Sequence, residues 1–241
     1  MDGSIISEIK LIVFDIDGTL AETDDYLIEK GAASICHLFP SVSSEAAQKF
    51  VRPLFMVGET VIHSFYRILD LFGMDFLISR FHSKFSIRTE YKFSPVGNMR
   101  ETLKLLSQYF TLGIISSGGR YSTMAFIKKF DLSECVPFII SAEDAAFIKP
   151  HPMPLLQVAL KAGVPINQCI MVGDTVFDIL CAKRAGAYSV AVKTGFDSSL
   201  FLKLHHPDYL LDSVDDLPAL MHICNTEQMK AKSQGKPKDL V

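Results

Sequence analysis

The sequence predicts an α/β chain, a parallel-sheet core with a small all-helical domain inserted after the first strand. Two observations carry this expectation. Short apolar runs alternate with helical patterns over most of the chain, and one long segment breaks the alternation with helical periodicity alone. A strand buried on both faces reads as an unbroken apolar run, and strand–helix alternation marks βαβ units around a parallel sheet.

Each strand candidate ends in a polar or glycine-containing turn. Leu11-Ile12-Val13-Phe14 runs into Asp15, and Leu112-Gly113-Ile114-Ile115 into Ser116-Ser117-Gly118-Gly119. Phe138-Ile139-Ile140 runs into Ser141-Ala142-Glu143. Ile170-Met171-Val172 runs into Gly173-Asp174, and Val190-Ala191-Val192 into Lys193-Thr194-Gly195. Helices are predicted at roughly 98–109, 120–130, 154–163 and 176–186, with Gly163 and Gly186 placed as C-caps.

Residues ~22–92 contain no convincing strand. Ile28, Gly31, Ile35 and Leu38, then Val61, Ile62, Phe65, Ile68, Leu69 and Phe72, then Leu77, Phe81 and Phe85 follow helical spacing. Such stripes ordinarily face a core. The expected organisation is a core of residues 1–20 and 95–224, a helical insert over 21–94, and a polar, disordered tail over 225–241.

The 241 residues are 49% hydrophobic, enough for a sizeable core plus a smaller appended domain. A net charge of −3 gives no basic field, so nucleic acid is not expected as a partner. No apolar run approaches the ~18 residues of a spanning helix, so no membrane is expected. The N-terminus lacks secretory character. The five cysteines are scattered, without a C-x-x-C pair, and read as reduced thiols. A cytoplasmic protein fits these features, and either a monomer or a homodimer is compatible with them.

In an open parallel sheet, ligands bind beyond the carboxyl ends of the strands. The unusual polar residues stand there: Asp15 and Asp17, Ser116 and Ser117, Asp174 and Asp178, with Lys149 in a loop among prolines. Asp15-x-Asp17-Gly18 is not a calcium loop of the EF-hand type, because Leu20 and Tyr26 occupy the Gly and Glu positions. An ordinary turn is the bland alternative. For Asp174 and Asp178 the alternative is helix capping, with Asp174 as the cap. Against both, three carboxylates meeting at one sheet edge repel unless a cation sits among them. Oxygen-only ligands suit Mg²⁺ bound together with a phosphate. Ser116-Ser117-Gly118-Gly119 precedes a helix start and could cradle an anion, or be a hydrophilic turn. Lys149 would by default be solvated, but a fixed loop suits a charge held against phosphate.

Asp15-Ile16-Asp17-Gly18-Thr19-Leu20, the strand ending in Ser116, Ile148-Lys149-Pro150-His151-Pro152, and Val172-Gly173-Asp174-Thr175-Val176-Phe177-Asp178 together resemble the haloacid dehalogenase-like hydrolase superfamily. The helical insert looks like the small cap of its phosphoglycolate phosphatase-like and β-phosphoglucomutase-like branch. The resemblance implies a Rossmann-like core and an Mg²⁺-dependent phosphatase acting on a small phosphorylated molecule through an aspartyl-phosphate. It implies Asp15 as nucleophile and Asp17 as the acid and base. Asp15, the Asp17 carbonyl and Asp174 would hold the metal, and Asp178 would support the site and orient Lys149. Ser116 and Lys149, with backbone N–H groups and Ser117 beside them, would bind the phosphate. A phosphosugar mutase, a pyrophosphatase and a catalytically idle binding module are the alternatives. Arg52, Glu59, Arg67 and Lys84 are candidates for selecting the leaving group, and His151 is expected to be a bystander.

Overall fold

The computed structural model describes residues 8–22, 32–33, 35–37, 39, 42–47, 49, 51 and 93–223. Strands β1 (Leu11–Phe14), β2 (Ala21–Glu22) and β3 (Ser94–Pro95) are followed by helix α1 (Met99–Leu106), β4 (Thr111–Ile115), α2 (Arg120–Lys129) and β5 (Phe138–Ile140). Then come α3 (Met153–Ala162), β6 (Cys169–Gly173), α4 (Val176–Ala185), β7 (Tyr188–Val192), α5 (Ser199–Leu204), β8 (Tyr209–Leu211) and α6 (Leu217–Leu220). Helices α3 and α4 end on Gly163 and Gly186 in the left-handed conformation, as the sequence predicts.

Six strands form one sheet in the order β5-β4-β1-β6-β7-β8, and every pair is parallel. This is the predicted α/β, Rossmann-like core. Strand β1 lies inside the sheet, flanked by β4 and β6, and all four of its residues are buried. Alternate side chains point to opposite faces. Ile12 and Phe14 join Leu103 and Leu106 of α1 and Phe126 of α2 in one core layer. Leu11 and Val13 join Leu155 and Val158 of α3 and Cys181 of α4 in the other. Each such fully buried side chain stabilises the fold by about 1.5–3 kcal/mol. The central strand is therefore held from both sides, and the residue that follows it, Asp15, leaves the sheet at a fixed place.

Strand β8 is not apparent from the sequence. It is three residues long, half-buried, and at the edge of the sheet, where its apolar signal is weak.

The predicted insert falls largely outside the described residues, including its stripes over 61–85 and the candidates Arg52, Glu59, Arg67 and Lys84. The tail over 225–241 also lies outside them. The described positions between 32 and 51 are mostly helical. At the two chain crossings, β2 and β3 pair antiparallel, Ala21 with Pro95 and Glu22 with Ser94. The returning strand is anchored to the core. Lys129 Nζ donates to the Phe93 carbonyl at 2.6 Å. Asp215 accepts from the Asn98 N–H and the Thr102 hydroxyl, both at 2.8 Å.

Candidate active site

Strands β1, β4 and β6 place their end residues side by side at the carboxyl edge of the sheet. Asp15 follows β1, and its N–H donates to the Val172 carbonyl of β6 at 2.9 Å. Asp174 follows β6. Carboxylate oxygens of Asp15, Asp174 and Asp178 lie within 4.8 Å of one another, and all three residues are buried. Among the described residues, one ammonium reaches into this cluster. Lys149 Nζ is 2.7 Å from Asp15 Oδ1 and 2.7 Å from Asp178 Oδ1. Lys149 is buried, not solvated. The aromatic ring of Phe147 stacks on His151 at 4.1 Å across the loop that carries it, and His151 Nδ1 accepts from the Met153 N–H.

The capping alternative is half right, with a correction. Thr175, not Asp174, is the N-cap of α4, and Asp178 completes a capping box three residues on. Asp178 Oδ2 accepts from the Thr175 N–H at 3.1 Å and from its hydroxyl at 2.6 Å. One oxygen of Asp178 thus serves the helix and the other serves Lys149. Asp174 is held differently. Its Oδ1 accepts from the Thr19 hydroxyl at 2.8 Å and its Oδ2 from the Phe196 N–H at 2.9 Å.

Among the described residues the charge balance is uneven, with three clustered carboxylates and one ammonium, which contacts two of them. Burial raises Asp15 most, and the charges of Asp178 and Asp17 add to it; Lys149 opposes, and the carboxyl settles at about 7. Burial, then Asp15 and Asp178, push Asp174 well above the ordinary carboxylate range despite its hydrogen bonds. Burial alone would lower Lys149, but Asp15 and Asp178 outweigh it and hold the ammonium charged. Two carboxyls that resist ionisation at a site built only from oxygen donors favour an added cation. The donor set fits a hard divalent ion, with Asp15 and Asp174 able to supply carboxylate oxygens.

Asp17 is half-buried in the turn after β1 and bridges to Ala21. Gly18 in this turn has φ +78°, and a Cβ there would lie 2.3 Å from Asp174 Oδ2, so only glycine fits. Ser116 is buried at the end of β4, and its Oγ accepts from the Gly118 N–H at 3.0 Å. Helix α2 begins at Arg120, as predicted. Ser116, Ser117 and Lys149 line one small pocket with Ser141 and Phe147. All the sequence-predicted residues of the core site therefore meet on one edge of the sheet.

Several site residues escaped sequence reasoning. Thr19 and Phe196 each hold Asp174 through one hydrogen bond, and Thr194 and Asp197 tie down the turns beside it. Asp197 accepts from the Val176 N–H at 2.7 Å and Thr194 donates to the Gly18 carbonyl at 2.7 Å. The Thr194-Gly195 turn after a predicted strand was the available signal.

The sequence matches the haloacid dehalogenase-like hydrolase family over residues 12–192. The chain belongs to this family. Among curated relatives of this hydrolase, pyrophosphatase PpaX of Halalkalibacterium halodurans is 30% identical over 213 residues, covering 87% of this chain and 95% of the relative. Pyrophosphatase PpaX of Oceanobacillus iheyensis is 29% identical over 215 residues, with 87% and 95% covered. Among solved structures, a haloacid dehalogenase-like hydrolase of Streptococcus pneumoniae aligns with a TM-score of 0.61 at 21% identity, covering 89% of this chain and 99% of the other. A predicted phosphoglycolate phosphatase of Haemophilus somnus gives 0.60 at 20% identity, with 88% and 98% covered. These structural likenesses concern the fold. The hydrolase fold and the family expected from the four motifs are thus borne out.

Proposed function

We propose that this hydrolase is an Mg²⁺-dependent phosphatase of small phosphate monoesters, working through a phosphorylated Asp15. The observation that carries the reading is the buried contact of Asp15 with Lys149 inside a cluster of three buried carboxylates. Asp15 and Asp174, with the Asp17 carbonyl, would hold Mg²⁺, which would neutralise their charge and that of the phosphoryl oxygens.

The chain's own groups then divide the work. Lys149 and the Ser116-Ser117 turn bind the phosphoryl oxygens and orient them against Asp15. An Asp15 oxygen attacks phosphorus as the bond to the leaving oxygen breaks, and Asp17 gives that oxygen a proton. Asp17 then takes a proton from water, whose oxygen attacks phosphorus and releases phosphate with Asp15 restored. Asp178 keeps Lys149 in place through both steps.

A second reading has its own support. The PpaX relatives are pyrophosphatases by name, which favours inorganic pyrophosphate as a substrate. Phosphate release from a broad monoester panel and from pyrophosphate, each with Mg²⁺, separates the two. A monoesterase should show kcat/KM at least about tenfold higher on its best monoester, since a dedicated contact is worth roughly that factor. The reverse ratio selects the pyrophosphatase, and inactivity on every substrate removes both.

Metal linkage gives an independent check. Asp15 is raised from 3.8 to about 7 in the folded chain. Between those values the folded chain holds a proton that the unfolded chain has released. Without metal, this group therefore costs stability increasingly as pH rises through that window, and the full cost applies above it. Mg²⁺ competes with that proton. The expected result is an Mg²⁺-induced rise in Tm that is large at about pH 8 and small at about pH 5. At free Mg²⁺ one hundred times Kd the stabilisation is about 2.7 kcal/mol. A Tm that ignores Mg²⁺ at both pH values would rule the metal out of this site.

A further inference from the structure

We infer that Thr194 is a positioning residue for Asp17, fixing the turn that presents this acid to the leaving group. The inference rests on the proposed role of Asp17. Strand β7 ends at Val192, and the chain then crosses against the turn that follows β1. There the Thr194 hydroxyl donates to the Gly18 carbonyl at 2.7 Å, while the Gly18 N–H donates to the Ala21 carbonyl at 2.8 Å. Both peptide groups that flank Gly18 are therefore held. Each is planar, so holding its N–H or its carbonyl fixes the whole unit. Asp17 is the residue immediately before, and its backbone is locked on that side.

The residues after Thr194 make this crossing rigid. Gly195 passes so close to Asp174 that a Cβ there would lie 1.9 Å from Oδ2. Phe196 donates its N–H to that same oxygen at 2.9 Å, and Asp197 accepts from the first N–H of α4 at 2.7 Å. Thr194 thus sits at the start of a strap whose next three residues run against Asp174 and the first turn of α4. A rigid strap can transmit position, and the hydroxyl of Thr194 is the atom through which it reaches the Asp17 turn. One hydrogen bond is small against the stability of a domain, so its loss should leave the fold intact. A small misplacement of a proton donor costs rate far more readily.

The test compares Thr194→Val, Thr194→Ser and the parent on the parent's best alkyl phosphate and on p-nitrophenyl phosphate, both at saturating Mg²⁺. An alkoxide needs the proton from Asp17 to leave, whereas p-nitrophenolate does not. Thr194→Val should lose about tenfold or more in kcat/KM, which reports only the steps through leaving-group departure, on the alkyl phosphate and less than about twofold in kcat/KM on p-nitrophenyl phosphate, general acid catalysis being worth more than that. Thr194→Ser should restore kcat/KM on the alkyl phosphate. Should the valine variant not fold, Thr194→Ala replaces it in the same comparison. Equal losses in kcat/KM on both substrates, or no loss on the alkyl phosphate, would overturn the inference and leave the phosphatase reading standing. A parent inactive on the whole monoester panel overturns that reading, and the inference with it.

Discussion

Lys149→Met should melt well below the parent and release no measurable phosphate. The substitution keeps a chain of similar length in a buried slot but removes the ammonium that lies 2.7 Å from both Asp15 and Asp178. Breaking a buried ion pair from one side costs about 3–5 kcal/mol, because the partner charge is left uncompensated. Here Asp15 and Asp178 lose their shared counter-charge. The deficit should shrink as pH falls from about 8 to about 5, since Asp15 and Asp174 are already displaced toward the protonated form and take up protons readily. Adding Asp15→Asn to the same chain should recover part of the stability and none of the activity, a coupling that independent sites would not show. Thermal melts at the two pH values measure this directly. A single variant as stable as the parent at about pH 8 would mean that the lysine does not neutralise the cluster.

Asp15→Asn should reduce turnover by about four orders of magnitude or more, as loss of a nucleophile does elsewhere, while leaving the fold intact. The amide is nearly isosteric, and β1 remains packed on both faces through Leu11, Ile12, Val13 and Phe14. Lys149 keeps its contact with Asp178, so no lone buried cation is created. Two functions disappear together, attack on phosphorus and one metal ligand, so the Mg²⁺-induced rise in Tm should fall as well. Circular dichroism and steady-state kinetics separate the outcomes. If Asp15→Asn still turned over at roughly a tenth of the parental rate, covalent catalysis at this position would be untenable.

The core was legible because its strands are buried on both faces. An unbroken apolar run such as 11–14 has one plausible place in an α/β chain, and the polar residue after it then falls on the ligand edge. The carboxylates Asp15 and Asp174 could be found the same way, since each follows a buried strand, and Asp178 lies one helical turn beyond Asp174. Their geometry was less legible. Asp178 serves both the Thr175 cap and Lys149, so the capping reading of that residue and its contact with the lysine hold together. Nothing in the spacing of residues separates a cap at 174 from one at 175.

The supporting groups were illegible for a different reason. Phe196 acts through a backbone N–H, which every non-proline residue owns, and Thr19 and Thr194 act through hydroxyls that are common in turns. Only the crossing of two distant segments gives them meaning. Strand β8 was lost because a short, half-buried edge strand carries little apolar signal.

The most direct measurement of the central claim is a rapid acid quench during turnover, followed by mass spectrometry of the peptide that carries Asp15. The expected result is a transient phosphoryl group on Asp15 that forms and decays at rates consistent with kcat, and that is missing from Asp15→Asn. Full phosphate release with Asp15 never phosphorylated would contradict it.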